Sequence, residues 1–362
     1  MTTTAPRVAP MGTLRDRFLR LAERITTPLV PADYLDIVDP LRSGTTLRGR
    51  IVAIHPETRD AVSLVIKPGR GWRSHTPGQY IRIGVDVDGV RQWRAYSLTS
   101  DTERADGCIA ITVKAIPDGK VSNHLVRRAT VGTIVQLDHA AGDFTLPAAA
   151  PAKILFLTAG SGITPVMGML RNMVEHTDVV VVHSAPTPDD VIFAGELRML
   201  ARQGRIRLIE KHTDTDGMLS AAELSDLVSD LPERETWACG PTGMLDALEQ
   251  HWNDNGIPER LHTERFRPTV VTAGEGGVVT FSKSATTLDV SGDQTLLDAG
   301  EAAGVLMPSG CRMGICFGCV APLRQGAVRD LRNGDVTTAA PGDGVLIQTC
   351  VSAAAGTCDI DL

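Results

Sequence analysis

The 362-residue chain contains no apolar run near the ~20 residues a helix needs to cross a bilayer, which argues against a helical anchor. Residues 1–12 are polar and proline-containing and lack the apolar core of a secretory signal. Positive charge is not in excess. Lys and Arg number 36 against 43 Asp and Glu, a net charge of −7, so nothing favours nucleic acid as a partner. Internal repeats and low-complexity blocks are missing, which sets aside solenoids and arrays. Seven cysteines are an odd number, and Cys108, Cys239 and Cys358 lie far apart, so a disulfide framework is not expected. A cytoplasmic protein follows as the expectation, peripheral at most to the inner face of the cell membrane.

The remaining four cysteines are grouped. Cys311, Cys316 and Cys319 read Cys-x4-Cys-x2-Cys, and Cys350 follows after thirty intervening residues. This is the plant-type spacing for a [2Fe–2S] cluster held by four thiolates, which implies one-electron transfer. Three thiolates on one tight loop need small neighbours, and Gly310, Gly314 and Gly318 supply them. A zinc site and structural disulfides are the rival readings. Zinc usually takes two paired knuckles, whereas here the fourth cysteine stands alone.

Composition and periodicity divide the chain. Residues 1–44 form an N-terminal extension in which Leu14, Phe18, Leu21 and Ile25 recur at helical spacing among four arginines. Such a basic amphipathic helix over 14–25 suits a membrane surface or a partner, and equally its own domain. Residues 45–148 show short β-rich runs at 47–54, 61–66, 80–87 and 108–116 separated by Gly, Pro and Asp, which predicts an antiparallel barrel. Residues 152–262 alternate apolar strands (153–157, 179–182, 206–210, 236–239) with helices (167–174, 194–201, 221–228, 242–253), a doubly wound α/β domain. A linker is expected over 263–276. Residues 277–362 read as a small mixed domain around the cysteine loop.

Further motifs precede the cysteines. Thr158, Gly160, Gly162, Thr164 and Pro165 lie where an apolar strand turns into a helix, a junction whose backbone N–H groups suit a nucleotide pyrophosphate. Turn glycines also occur there without a ligand. Cys239, Gly240 and Pro241 end a later strand, where a thiol would sit beside a ligand or simply fill space. In the barrel, Arg94, Tyr96 and Ser97 form Arg-x-Tyr-Ser in a chain with only three tyrosines, suited to phosphate, a flavin ring and a hydrogen bond. Alone, this is equally an ordinary strand. Lys114 closes a strand, and Gly119, Lys120, Val121, Ser122 and Leu125 read as a turn into a helix whose N-terminus Ser122 would cap or whose N–H groups would hold phosphate.

In this order the motifs resemble those of the ferredoxin–NADP reductase superfamily, in its oxygenase- and desaturase-reductase branch, over residues 45–362. The extension and the order flavin, nicotinamide, ferredoxin are similar to actinobacterial NADPH oxidoreductases that serve acyl-CoA desaturases. The resemblance implies a FAD-binding barrel, a nicotinamide domain and a β-grasp ferredoxin domain. It implies that Arg94 neutralises the flavin pyrophosphate, Tyr96 stacks on the ring, Ser97 hydrogen-bonds near N5 and Ser122 takes remaining phosphate charge. Cys239 would orient the nicotinamide, and Glu264 and Phe266 would return to the flavin. FAD is favoured over FMN by the Gly119–Ser122 pattern. NADPH is favoured over NADH because the second strand of the α/β domain ends at His183, Ser184 and Ala185 without a carboxylate, although no Ser-Arg pair follows the third strand, where Glu210, Lys211, His212 and Thr213 read as solvated surface or, for Lys211 or His212, as a substitute for that pair. A membrane-bound acyl-CoA desaturase is the first acceptor considered, an oxygenase component the second, and a redox sensor without catalytic flux the alternative from another class.

Overall fold

The computed structural model describes residues 39–42, 46–117, 119–173, 177–266, 272–314 and 316–362. The helix expected over 14–25 lies outside them. The first unit is a six-stranded antiparallel sheet of β1 (Arg48–Thr58), β2 (Ala61–Pro68), β3 (Tyr80–Val87), β4 (Val90–Ser97), β5 (Ile109–Lys114) and β6 (Ile134–Leu137) in the order β4-β3-β6-β1-β2-β5. A bridge between Leu98 and Ile111 joins the two edges, so the sheet closes into a barrel. Alternation puts Ile51, Leu64, Ile66, Ile81, Ile83 and Ile111 inside, each fully buried. Helix α1 (Lys120–Arg127) covers one mouth and turns Val121 and Leu125 into this core.

The second unit is a five-stranded parallel sheet of β7 (Lys153–Ala159), β8 (Asp178–Ala185), β9 (Arg207–His212), β10 (Glu235–Cys239) and β11 (Leu261–Glu264) in the order β11-β10-β7-β8-β9. The first strand is central, the hallmark of a doubly wound sheet with helices on both faces. β7, β8 and β10 are buried almost throughout, as both-face coverage requires. Helices α2 (Ile163–Asn172) and α3 (Ala194–Arg202) pack on the face with Phe156, Val181 and Trp237; α4 (Thr242–Asp254) packs on the face with Leu157, Val182 and Ala238. The segment expected as helix over 221–228 holds only the turn Leu224–Leu227. β11 runs two residues into the segment read as a linker, because parallel pairing with β10 continues through Cys239 and Glu264.

The third unit contains β12 (Gly277–Phe281), β13 (Thr286–Val290), helix α5 (Leu296–Ala302), β14 (Val320–Asp330), β15 (Val336–Ala339), β16 (Val345–Gln348) and β17 (Ser352–Ile360). Its sheet order is β13-β12-β17-β14-β15, with β16 beside β14 and β12 parallel to β17. This is the β-grasp arrangement, with α5 packed on β17 and Leu296 and Leu297 in its core. Thr295 caps α5 by accepting the Asp298 N–H at 3.1 Å.

Candidate functional site

The carboxyl edge of the parallel sheet meets the open end of the barrel. α2 carries much of this junction: Asn172 Oδ1 accepts from the Thr102 N–H at 2.9 Å and the Thr102 hydroxyl at 2.7 Å, and Arg171 donates to the Thr99 carbonyl. Gly168 makes the approach close, since a Cβ there would stand 2.3 Å from the Leu98 carbonyl oxygen. Trp237 Nε1 donates to the Thr145 carbonyl across the same seam at 3.3 Å. These contacts bring the Ser97 hydroxyl, at the end of β4, to 3.2 Å from that of Thr164 in the first turn of α2. Thr164 also donates to the Ser161 carbonyl at 2.9 Å.

Register builds the rest of the nucleotide side. Glu264 stands opposite Cys239, Cys239 opposite Thr158, Thr158 opposite His183, and His183 opposite Glu210. Partners in one row of a parallel sheet share a face, so five polar side chains line its carboxyl end. The Thr158 hydroxyl and His183 Nδ1 are 2.8 Å apart, while His183 Nε2 is buried without a partner among the described residues. Burial pushes His183 down to about 4, so it is neutral. Burial pushes Glu264 up to about 8, and burial followed by the nearby Glu264 raises the Cys239 thiol. Gly160 has φ +52°, and a Cβ on Gly162 would stand 2.0 Å from the Cys239 carbonyl oxygen, so the loop needs both glycines. Pro165 is buried in α2, Gly240 lies against Met244, and Pro241 precedes α4. Ser184 is buried at the end of β8. Phe266 packs against the α2 face of the sheet.

On the barrel side, Arg94 donates to the Trp93 carbonyl at 2.7 Å, and burial and then the charge of Arg312 bring its guanidinium down to about 10. Tyr96 packs against the barrel core, and burial raises its phenol. Ser122 does not cap α1, whose N-cap is Gly119. Its hydroxyl instead accepts the Ile116 N–H at 3.3 Å and donates to the Gly119 carbonyl at 3.2 Å, closing the turn before the helix. A groove of about 260 Å³ along α1 is lined by Lys120, His124, Arg127 and Arg128 with Gly119, Asn123, Val87 and Asp88, the last paired with Arg128 at 3.6 Å. Lys114 is not brought to this group, because Asp60 holds its ammonium at 2.7 Å.

The cysteine loop faces the same end of the barrel. The thiols come as two pairs. Cys311 and Cys316 share a hydrogen bond, and Cys319 and Cys350 lie 3.1 Å apart, too far for the ~2.05 Å of a disulfide. Among the described residues no three His, Cys, Asp or Glu converge as one metal ion requires. Two pairs suit two irons, which favours the [2Fe–2S] reading over zinc. Backbone N–H groups of Cys311 and Gly318 point at Cys316 Sγ, at 3.1 and 3.4 Å, and that of Met313 at Cys311 Sγ, at 3.3 Å. A Cβ on Gly310 would stand 2.4 Å from Cys316 Sγ. The other cysteines, Cys108, Cys239 and Cys358, are buried and unpaired.

Family models agree with this geometry in order and extent. The oxidoreductase FAD-binding domain matches residues 73–146, the oxidoreductase NAD-binding domain 156–250 and the 2Fe-2S iron-sulfur cluster binding domain 279–355. An NADPH oxidoreductase of Mycobacterium tuberculosis (strain ATCC 25618 / H37Rv) is 48 % identical over 351 residues, covering 95 % of this chain and 91 % of that protein. The chain belongs to the ferredoxin–NADP reductase superfamily. It is an NAD(P)H-dependent reductase with FAD and a [2Fe–2S] cluster. The glycine betaine monooxygenase reductase subunit of Chromohalobacter salexigens is 30 % identical, over 76 % of this chain and 84 % of that one. Phthalate dioxygenase reductase shares the reductase fold, with a TM-score of 0.61 and 22 % identity over 88 % of this chain and 98 % of that one.

Several residues of the reductase escape sequence reasoning. His183 follows the apolar run 179–182 without a motif of its own, and only the register reveals its place beside Thr158. Lys211, read as solvated surface, is buried and paired with Glu223 because β9 turns it inward. Arg82 and Asp138 belong to no motif, and their pairing beside the cysteine loop depends on the barrel fold and on how the third unit docks against it.

No described helix is long and apolar enough to cross a membrane.

Proposed function

We propose that this reductase draws hydride from NADPH and passes single electrons to a membrane-bound acyl-CoA desaturase. The observation that carries this is coverage. The NADPH oxidoreductase aligns over 95 % of the chain, reaching into the N-terminal extension, whereas the glycine betaine monooxygenase subunit aligns over 76 %. The extension, with its basic amphipathic pattern, suits an acceptor at a membrane surface. NADPH is further supported at the tip of β8. Ser184 and Ala185 offer no carboxylate there, Asp190 accepts from Thr187 at 2.7 Å, and Arg198 holds Glu210 by two bonds of 2.7 Å.

When bound, FAD accepts the hydride pair and releases its electrons singly to the [2Fe–2S] cluster. In this reading Arg94 and Tyr96 hold the flavin, Lys120, Val121 and Ser122 place N–H groups and charge at its phosphates, and Ser97 hydrogen-bonds its ring. Thr158, Gly160, Gly162, Thr164 and Pro165 receive the nicotinamide nucleotide. Cys239, Gly240 and Pro241 orient its ring, Glu264 keeps a proton beside Cys239, and Phe266 shields the site. Cys311, Cys316, Cys319 and Cys350 are the cluster ligands.

An oxygenase component is the second reading, favoured by relatives such as the ferredoxin reductase component of 3-ketosteroid-9-alpha-monooxygenase from Rhodococcus rhodochrous, 30 % identical over 79 % of this chain. Steady-state turnover of the purified holoprotein is expected to favour NADPH over NADH. Deleting residues 1–44 should abolish support of a desaturase and leave dye reduction intact. Undiminished desaturation after the deletion would count against this acceptor.

A further inference from the structure

Arg82 sits in β3 opposite Ala95, two residues from Tyr80, which lies opposite Ser97. Directly paired residues of antiparallel strands share a face, so Arg82 leaves the barrel on the side that carries Ser97. Its guanidinium is fixed on two sides. Nε donates to Asp138 Oδ2 at 2.5 Å, Nη2 reaches the same oxygen, and the Trp93 ring centre lies 5.7 Å away. The remaining nitrogen, Nη1, is turned to the cysteine loop and stands 3.5 Å from where a Cβ on Gly310 would be. That same point is 2.4 Å from Cys316 Sγ, so the guanidinium and this sulfur border one small space. Cys316 thus receives two N–H groups from its own loop and stands beside a cation from another domain.

We propose that Arg82 is a positioning and tuning residue, whose charge beside Cys316 Sγ raises the reduction potential of the cluster where it faces the flavin site. This rests on Cys316 being a ligand. Reduction of a four-thiolate [2Fe–2S] centre adds one electron and one negative charge, and makes or breaks no bond. A cation and an N–H at a ligand sulfur favour the more negative state, since net charge and hydrogen bonds to sulfur set such potentials. Asp138 fixes the guanidinium and offsets part of its charge. The potential of the centre is thereby coupled to its docking on the barrel.

The test is a potentiometric titration of the full-length holoprotein, following the cluster by electron paramagnetic resonance and the flavin by absorbance. In Arg82→Gln the oxidised-to-reduced ratio of the cluster at fixed potential should rise about tenfold, about 59 mV for one electron, with the flavin unmoved. Arg82→Lys, which keeps the charge, should restore most of the shift. If Arg82→Gln does not retain its cofactors, Arg82→Met, which keeps the length of the side chain without its charge, carries the test and should move the ratio the same way. An unchanged cluster potential in the neutral variant, or an equal shift of flavin and cluster, would overturn the proposal. A wild-type protein without a [2Fe–2S] signal would instead overturn the ligand assignment.

Discussion

At the end of β11, Glu264 carries a carboxyl that burial raises to about 8, and its Oε2 has no partner among the described residues. Near neutral pH it therefore holds its proton, in the same row of the sheet as the buried Cys239 thiol. The folded protein binds this proton more tightly than the unfolded chain, whose carboxyl titrates near 4.5. Stability from this group is complete below about 4.5 and is lost as pH rises through about 8. Glu264→Gln copies the protonated shape and removes the dependence. Its Tm should match the wild type at pH 5 and exceed it at pH 9, as differential scanning calorimetry would read. Equal melting at both pH values would mean that Glu264 is ionised in the fold. His183 is the opposite case, with stability lost as pH falls from about 6.5 through about 4, since charging it requires leaving its buried place beside Thr158.

Among the elements, α2 joins β4 to the loop after β7, and Gly168 lets it lie close against the barrel. With a Cβ 2.3 Å from the Leu98 carbonyl, Gly168→Ala must push helix and barrel apart. The expected result is a lower Tm and hydride transfer slowed on the order of tenfold or more, since small misplacements of reacting groups cost rate steeply. Anaerobic stopped-flow of flavin bleaching measures it. Gly195→Ala on α3, where a Cβ meets nothing within 4 Å, is the control and should be neutral or stabilising by up to ~1 kcal/mol. The same elements show what a sequence reveals. β7, β8 and β10 are legible because burial on both faces demands unbroken apolar runs. α2 begins at Ile163, ahead of the expected 167, because Thr164 and Pro165 sit within its first turn. β14 to β16 are not legible: Val320–Asp330 mixes proline, arginine and glycine, and Val336–Ala339 is largely exposed, so pairing defines them without an apolar pattern.

For the whole molecule, the three units form a path with Ser97 on one side of the seam and Cys316 on the other. Each motif lies within one short run, so domain order and carriers are legible from sequence. The seams are not, because Arg82 with Cys316, Thr164 with Ser97 and Trp237 with Thr145 join residues from distant stretches. The path makes a separable prediction. Replacing Cys311, Cys316, Cys319 or Cys350 by Ala should spare NADPH-dependent dye reduction through the flavin and stop delivery to the protein acceptor. Loss of both in a folded variant would mean that the cluster precedes the flavin. The pair Cys319 and Cys350 also has a bearing on the life of the protein in the cell. The two positions are 31 residues apart, and the proposed metal bridge between them would close a loop holding β14, β15 and β16. On the chain-entropy scale for cross-links such a closure contributes on the order of 3–4 kcal/mol, a large share of what keeps a small domain folded. A chain made under iron scarcity forgoes this restraint, and the exposed turn over 340–344 becomes open to proteases. With the cluster ligated as proposed, the apoprotein should be cut faster than the holoprotein in limited proteolysis, so that iron supply governs how many molecules persist as well as how many carry electrons.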